Sequence, residues 1–424
     1  MLVTGENINI NFNSIPENEY WSIEDEKELK VHKIHAYPAK FPSFVIKKSI
    51  EYAQDAGIKL NTIADIFCGC GTTAFEAKRN GIGFWGCDIN PVATLIARVK
   101  SNHFDEQILL MHYDQIILNY SSKETIDIPK EVLNNDRINY WFPKSQIKDL
   151  YKLLISINET VIEGIYRDFF HCAFSNILKS CSRWLTKSIK PQIDPDKKLQ
   201  KINIAFEIQF NFMLTANKQI DKGFNNNISS QIQCSNFLDI KITNPFVDML
   251  ITSPPYVTSY EYADLHQLST LWLGYCNDYR ELRQGTIGSV YHSNISPDDI
   301  DNLNNLGKTI YKDILKVEKG KAKSVAKYFI DMKYTVQKSY ELLNPKGLSI
   351  FVIGNTKYKG VEVDNAKFLT HCMIENGFEN INIFKRKIGS KILSPYRDSK
   401  GKFSNDKRHR QVYSYEFVII GQKS

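Results

Sequence analysis

Two glycines separated by one residue follow a short apolar run that ends in an acidic residue. The stretch reads DIFCGCGTT and places Asp65, Phe67, Gly69 and Gly71 at alternate positions. Glycines at a turn between a strand and a helix let the backbone approach a ligand closely. Asp88, at the end of the next apolar run, can accept hydrogen bonds from ribose hydroxyls. The pattern predicts a nucleoside cofactor, and a tight turn without any ligand is the alternative.

A second candidate site is the segment TSPPY, which directly follows the apolar run FVDMLIT. Pro254 and Pro255 stiffen the backbone and remove two N–H donors, so carbonyl oxygens and the Ser253 hydroxyl remain as acceptors. These acceptors suit an amino group, which donates two hydrogen bonds. Tyr256 adds a flat ring on which a base can stack. A rigid loop is the alternative, but the substrate site is favoured where a cofactor turn belongs to the same sheet.

Together these two motifs resemble those of the DNA amino-methyltransferases. The family's D-x-F-x-G-x-G motif is matched by residues 65–71, and its [D/N/S]-P-P-[Y/F/W] motif by residues 253–256. A serine before the prolines resembles the enzymes that act on cytosine, whereas an aspartate is more typical of those that act on adenine. The resemblance covers residues 31–100 and 232–356.

This resemblance implies methylation by S-adenosylmethionine, without a metal, of the exocyclic amino group of cytosine in a specific double-stranded DNA sequence. The buried target base must then be flipped out of the duplex. The resemblance also implies a restriction-modification system with a cognate restriction endonuclease as partner. Three alternatives stay open: an adenine amino-methyltransferase, an RNA methyltransferase and a non-catalytic DNA-binding relative.

Further stretches agree with the resemblance and complete the predicted site. HAYPAKFP, residues 35–42, resembles the segment that closes over the cofactor, and GCDINP, residues 86–91, resembles the motif whose acid binds the ribose. The residue that contacts the cofactor adenine usually follows the third strand, where Asn236 and Asp239 are available, and we assign Asn236. The predicted catalytic residues are Ser253, Pro254, Pro255 and Tyr256. The predicted cofactor-binding residues are Lys40, Phe41, Asp65, Phe67, Gly69, Gly71, Thr72, Asp88 and Asn236.

Residues outside these sets are also candidates. His35 is expected to make a structural hydrogen bond, and Tyr262 to pack in the core or to contact the base. Thr258 and Tyr260 follow the proline pair, and Asn355 is a candidate to face the site.

Alternating apolar runs and helical patterns around the motifs predict an α/β fold. NTIADIF and GIGFWGCDI predict buried strands, with helices from Thr72 and, capped by Asn90, from Pro91. A later strand is predicted at residues 348–354, after the turn NPKG. NINIFKRK and VYSYEFVII predict a C-terminal antiparallel hairpin. With the family resemblance, the expected fold is a doubly wound, Rossmann-like methyltransferase sheet with that hairpin and a largely helical insertion.

The expected parts are an irregular N-terminal arm (1–30), the first half of the methyltransferase domain (31–104), a helical insertion that is a candidate for target recognition (105–225), and the second half with a basic C-terminal loop (226–424). Within the insertion, apolar stripes predict two packed helices. One stripe comprises Ile147, Leu150, Leu154 and Ile157, and the other comprises Tyr166, Phe170, Ala173 and Ile177. Residues 183–226, rich in Lys, Asn and Gln, predict loops.

Composition narrows the possible partners. The 424 residues carry a net charge of +7, which permits a polyanionic partner such as nucleic acid. The stretch from Lys385 to Gln411 is dense in Lys and Arg and predicts a loop that grips DNA phosphates. The chain has no apolar run long enough for a membrane span, no C-x-x-C zinc pair and no signal peptide. We therefore expect a cytoplasmic protein that binds neither metal nor membrane.

Overall fold

The computed structural model describes residues 2–3, 11–22, 27–220, 224–257, 262–291, 295–388, 396–397, 403–404, 406, 408, 410–411 and 414–424. An eight-stranded sheet forms the centre of the molecule. From one edge to the other its strands are β1 (Leu2–Val3), β9 (Phe378–Lys387), β13 (Tyr415–Lys423), β6 (Leu343–Ile353), β5 (Val247–Thr252), β2 (Thr62–Asp65), β3 (Gly83–Asp88) and β4 (Ser230–Cys234).

The strand order shows a doubly wound sheet. The strands β6, β5, β2, β3 and β4 run parallel. The chain moves outward from β2 through β3 to β4 and then returns to β5 on the other side of β2. Ligands of open α/β sheets bind at such a switch point, beyond the carboxyl ends of the strands. Asp65 ends β2 and Thr252 ends β5, so both predicted motifs follow strands at this point.

Helices cover both faces of this sheet. One face packs against α2 (Ser43–Asp55) and α3 (Thr72–Arg79), the other against α14 (Asn305–Val317), α15 (Lys319–Leu342) and α16 (Asn365–Glu375). Alternate side chains of β5 enter the two cores, since Ile251 packs with α2 and Leu250 packs on the α15 side. Strands buried on both faces are expected to be continuous apolar runs, as the sequence of β5 is.

The predicted C-terminal hairpin is confirmed. β13 pairs antiparallel with both β9 and β6, and Glu416 lies opposite Arg386 across the hairpin. The strand β6 begins at Leu343, earlier than predicted, and its register is irregular around NPKG, where Lys346 has a φ of 64°. The residues of the predicted turn therefore belong to the irregular first part of β6.

A separate helical core packs beside the sheet through α4 (Pro91–Lys100), whose first turn is capped by the Asn90 side chain. Its other helices are α5 (Glu106–Ser122), α6 (Lys130–Leu133), α7 (Asp136–Trp141), α8 (Lys144–Thr160), α9 (Ile165–Ile177), α10 (Ile202–Lys218) and α12 (Gln267–Trp272). The two predicted apolar stripes lie on α8 and α9 and face this core. The largely helical insertion is thereby confirmed.

Two predictions about irregular structure were wrong. The helix α10 lies within residues 183–226, which were expected to form loops. Its buried residues recur at helical spacing between Asn and Gln side chains, and Phe210 stacks on Tyr113 with ring centroids 4.1 Å apart. The arm is also ordered over residues 11–22, where Phe12 and Trp21 are buried in the cores of the sheet. In both segments, polar residues lie between the apolar ones, so the apolar pattern was not recognised in the sequence.

The remaining elements are short. They are α1 (Glu19–Ser22), α11 (Tyr262–Leu265), α13 (Pro297–Asp301), β7 (Thr356–Tyr358), β8 (Val361–Val363), β10 (Tyr396–Arg397), β11 (Phe403–Ser404) and β12 (Arg410–Gln411). The last three strands form a small antiparallel sheet within the basic stretch. Over the described ranges, no helix is long and apolar enough to cross a membrane.

Candidate active site

The glycine turn between β2 and α3 exposes one side and buries the other. Phe67 and Gly69 are partly exposed, whereas Cys68 and Cys70 are buried. Gly69 and Gly71 have φ values of 48° and 76°, in the left-handed region that favours glycine. The two glycines serve different purposes, because a Cβ atom on Gly71 would lie 2.6 Å from Cα and Cβ of Ala97 on α4. The lack of a side chain at Gly71 thus lets α4 pack closely against the turn, and Gly69 forms the exposed side of the turn.

Asp88 lies beside the exposed side of this turn. Its Oδ2 accepts a hydrogen bond from Gly69 N–H at 2.9 Å, and its Oδ1 accepts one from Asn90 N–H at 2.9 Å. Burial raises the pKa of Asp88 to about 6, against the opposing effect of the two N–H groups. The side chain remains partly exposed, and each carboxylate oxygen has further capacity to accept a hydrogen bond. Asp88 can therefore accept hydroxyl donors.

Asp65 is only 2% exposed and has partners on three segments of the chain. Its Oδ2 accepts the Thr73 hydroxyl at 2.7 Å, and its Oδ1 accepts the Thr252 hydroxyl at 2.6 Å and Phe67 N–H at 3.2 Å. We name the link from Thr252 through Asp65 to Thr73 the carboxylate clasp. It joins the end of β5 to the glycine turn, so Asp65 organises the turn rather than presenting its carboxylate to a ligand.

The proline loop begins one residue after this clasp. Ser253 is partly exposed, and its hydroxyl has no hydrogen-bond partner among the residues that the structure describes, which exclude 258–261. Pro254 is buried and Pro255 is partly exposed. Tyr256 donates its hydroxyl hydrogen to Glu416 Oε1 at 2.7 Å. The loop thus offers an available hydroxyl oxygen beside an anchored aromatic ring.

The segment 35–42 reaches the glycine turn through a residue that the sequence analysis missed. The ring of Tyr37 would be 3.5 Å from a Cβ atom on Gly69, and it stacks on His266 at a centroid distance of 5.1 Å and on Tyr262 at 6.0 Å. His266 Nδ1 lies 2.6 Å from Asn90 Nδ2. These rings cover the turn, and nothing in their sequence spacing connects residues so far apart along the chain.

Two predicted cofactor residues from the same segment lie against protein groups. Lys40 Nζ donates to Glu28 Oε2 at 2.6 Å and to the His32 carbonyl at 3.0 Å. Phe41 packs on the core beneath α2. The cofactor-binding role of both residues stays a prediction, and Tyr37 is the residue of this segment that contacts the turn.

The two other predicted cofactor residues lie at opposite sides of the turn. Thr72 is buried at the start of α3, and its hydroxyl has no partner in the described part of the chain. Asn236 caps Leu238 N–H with its side-chain oxygen at 3.0 Å. A Cβ atom added to Gly285 would lie 3.5 Å from the amide nitrogen of Asn236 and 3.1 Å from Cδ1 of Ile89. The segment around Gly285 therefore lies over the end of β3.

The structure resolves three of the remaining candidates. His35 makes structural hydrogen bonds, as expected, to Ser175 Oγ at 2.8 Å and to the Ala36 carbonyl at 3.0 Å. Asn355 remains a candidate, and its amide is bonded to Asp364 Oδ1 and to Ala366 N–H at the start of α16. Tyr262 stacks on Tyr37. Thr258 and Tyr260 lie outside the described residues.

Comparisons with known proteins agree with this arrangement. The model of a DNA methylase family of N6/N4 type matches residues 6–98. The Type II methyltransferase M.MvaI of Kocuria varians is 24% identical over 93% of this chain and 91% of its own length. The Type II methyltransferase M.BsoBI of Geobacillus stearothermophilus is 25% identical over 86% of this chain and 82% of its own. This chain is therefore similar to DNA methyltransferases of the N6/N4 type.

Among solved structures, this chain is similar to the rRNA methyltransferase aviRa of Streptomyces viridochromogenes, with 8% identity over 92% of this chain and 91% of that one. The TM-score of 0.27 is too low to carry an argument.

The similarity to DNA methyltransferases implies S-adenosylmethionine as the methyl donor, and the residues at the turn fit that molecule. Asp88 is a partly exposed carboxylate that could accept hydrogen bonds from ribose hydroxyls. The Thr72 hydroxyl is an orphaned polar group next to the turn. Gly69 keeps the exposed backbone free of a side chain. Among the described residues, no group of three or more His, Cys, Asp or Glu side chains could hold a metal ion.

Proposed function

We propose that this methyltransferase methylates the exocyclic amino nitrogen of cytosine in a specific sequence of double-stranded DNA. The observation that carries the proposal is the carboxylate clasp, because the 2.6 Å hydrogen bond from Thr252 to Asp65 ties the residue before Ser253 to the residue that leads into the glycine turn. A cofactor held by the turn and an amino group held by the proline loop would then be neighbours.

The proline loop would activate a poor nucleophile. The lone pair of cytosine's amino nitrogen is conjugated with the ring, so the nitrogen must become pyramidal to react. Ser253 Oγ and the Pro254 carbonyl can accept hydrogen bonds from its two hydrogens and aim the lone pair away from them. The same dipoles stabilise the positive charge that develops on nitrogen. Tyr256 would hold the flipped base by stacking.

The residues of the turn would hold and orient the cofactor. S-adenosylmethionine, when bound, supplies an electrophilic methyl group on a sulfonium. Asp88 would accept the ribose hydroxyls, Asn236 would contact the adenine, and Gly69 would line the exposed side of the turn, with the buried Thr72 hydroxyl next to it. Because the clasp fixes the proline loop to the turn, much of the rate enhancement would come from orientation.

The serine before the prolines favours cytosine over adenine as the target. Methylation of the ring carbon of cytosine would need a cysteine nucleophile, typically after a proline, and none of the eight cysteines follows a proline. The Type II relatives support a restriction-modification system in which this chain protects DNA from a cognate endonuclease. The helical part, residues 105–225, and the basic C-terminal loop are the proposed DNA-contacting regions.

Nucleoside analysis tests the proposal directly. DNA incubated with the purified protein and S-adenosylmethionine would be digested to nucleosides and examined by mass spectrometry. We expect cytidine methylated on its amino nitrogen, and much less of it from a matched Ser253→Ala reaction of the same duration. Methylated adenine as the sole product would transfer the assignment to the adenine enzymes. Ring-methylated cytosine would contradict the proposed site altogether.

A further inference from the structure

The hydroxyl of Tyr256 is held by a residue far away in the sequence. It donates to Glu416 Oε1 at 2.7 Å, and the two residues are 160 positions apart. Glu416 lies on β13, whereas Tyr256 follows β5, and β6 separates these two strands in the sheet. The C-terminal hairpin therefore reaches into the loop that carries the proposed substrate site.

Glu416 is itself anchored on its other oxygen. Arg386 Nη1 donates to Glu416 Oε2 at 2.6 Å, and the two residues face each other across the hairpin. Arg386 is 2% exposed, its Nε donates to the Trp21 carbonyl at 3.2 Å, and its guanidinium lies over the Phe44 ring. A buried arginine with this many partners has a single position, so the Glu416 carboxylate is fixed.

The edge of the Tyr256 ring is fixed as well. A Cβ atom on Gly354, directly after β6, would stand 3.0 Å from Tyr256 Cε2 and 3.2 Å from its hydroxyl oxygen. The absence of a side chain at Gly354 thus makes room for the ring. No aromatic ring of the described residues stacks on Tyr256, and the side chain is partly exposed. The hydroxyl and one edge of the Tyr256 ring are therefore held in place, while the ring has no stacking partner among the described residues.

We propose that Glu416, held by Arg386, is a positioning residue for methyl transfer that orients the Tyr256 ring for the flipped target base. The inference rests on the proposed function and adds two residues to its machinery. Burial and the Glu416 carboxylate raise the pKa of Tyr256 well above its ordinary value, so the phenol stays a hydrogen-bond donor at every pH at which the protein would be assayed.

The test compares Tyr256→Phe, Glu416→Gln and the double variant with the wild-type protein. Tyr256→Phe keeps the ring and the ion pair and removes only the hydroxyl, so it isolates the contact if Glu416→Gln folds poorly. Glu379→Gln is the matched control, because Glu379 is exposed on β9 of the same hairpin. The readouts are thermal melting, S-adenosylmethionine binding, and single-turnover methyl transfer at saturating DNA and cofactor. Fluorescence of 2-aminopurine placed at the mapped target position reports base flipping.

We expect either single variant to lower the single-turnover rate and the flipping signal by about tenfold or more, the scale of a lost hydrogen bond to a charged group. Cofactor binding should be unchanged. The double variant should be no slower than Tyr256→Phe, because Tyr256→Phe removes the same contact that Glu416→Gln weakens. The control should match the wild type throughout.

Two results would overturn the inference alone: wild-type transfer and flipping in Tyr256→Phe, or losses in the two single variants that add in the double variant. Absence of amino-methylated nucleosides from the wild-type reaction would instead overturn the proposed function, and the inference with it. The wild-type digest is therefore run beside every variant.

Discussion

Asp65 and Asp88 end neighbouring strands, yet their partners differ. Asp65 is enclosed by two threonine hydroxyls and a backbone N–H group, whereas Asp88 has backbone partners and an exposed side. Burial raises the pKa of each carboxyl to about 6. A sequence motif assigns both to the cofactor, but only Asp88 has a partly exposed carboxylate.

The partly exposed Asp88 makes cofactor affinity depend on pH. Ribose hydroxyls donate to the ionised carboxylate, which prevails above pH 6, so we expect the affinity for S-adenosylmethionine to be constant above pH 7 and to fall below pH 6. The raised pKa also means that Asp88 favours folding most below pH 4 and that this contribution is lost as the pH rises through 6. Calorimetric titration from pH 5 to 8 measures the first effect.

Replacing the side chain provides the control for that titration. Asp88→Ala should weaken cofactor binding at pH 8 by about 1.5–3 kcal/mol, the scale of a hydrogen bond to a charged group, and should remove the dependence on pH. A folded variant that binds the cofactor as tightly as the wild type would show that the ribose is held elsewhere.

Ser253 tests the substrate half of the site. Ser253→Ala removes one acceptor of the amino hydrogens and should slow methyl transfer by roughly 10–1000-fold, by analogy with single oriented dipoles at other sites. Cofactor affinity should hardly change, because the hydroxyl is not bonded to the turn in the described residues. Single-turnover rates together with calorimetry measure both effects. A normal rate would place the acceptor on another residue.

At the scale of elements, the carboxylate clasp connects β2, β5 and α3. Thr252→Val has nearly the shape of threonine but leaves one oxygen of the buried Asp65 without its closest donor. We expect a loss of about 1–3 kcal/mol in the free energy of unfolding, with slower methyl transfer because the proline loop is released. Urea unfolding and single-turnover rates measure these effects.

Thr335→Val is a matched control for that experiment. Thr335 is also fully buried, but its hydroxyl donates to the Asp331 carbonyl within α15, an element that the clasp does not join. Its methyl transfer should stay at the wild-type level. Equal rate losses in the two variants would mean that the clasp has no special part in the reaction.

The sequence predicts an element well when neighbouring residues alone determine it, and poorly when contacts between distant segments determine it. The strands β2, β3 and β5 are short apolar runs beside turn residues, and Asn90 caps α4 within its own turn, so local patterns predict them. The helix α10 was missed because Asn and Gln lie between its core residues. The stacking of Tyr37 over the glycine turn and the contact between Tyr256 and Glu416 depend on the order of the strands and on the packing of distant segments. No local sequence pattern contains that information.

At the scale of the whole molecule, the basic stretch from Lys385 to Gln411 divides into different roles. Arg386 is buried in an ion pair, so it was wrongly counted among the phosphate-gripping residues. Arg408 is exposed and pairs with Asp406 at 2.7 Å. For Arg410 only the backbone, in β12, is described. Lys391, Lys400, Lys402 and Lys407 lie outside the described residues.

Salt dependence of DNA binding tests the exposed part of this stretch. Replacing Arg408 and Arg410 with Ala should lower the affinity for every duplex and flatten the slope of log affinity against log salt by roughly 1–2 units. The target base should not change, since Ser253 and Tyr256 are intact. An unchanged slope would point to the helical part, where Lys179, Arg183, Lys187 and Lys190 are the next candidates.

The carboxylate clasp also has a consequence for how proteins of this design can diversify. The hydrogen bond from Thr252 to Asp65 closes a loop of 187 residues, and the helical insertion lies inside it. The entropy of closing a loop grows only logarithmically with its length, so doubling the enclosed chain would cost about 0.6 kcal/mol. Segments of very different length can therefore be exchanged within this loop while the two halves of the site remain joined.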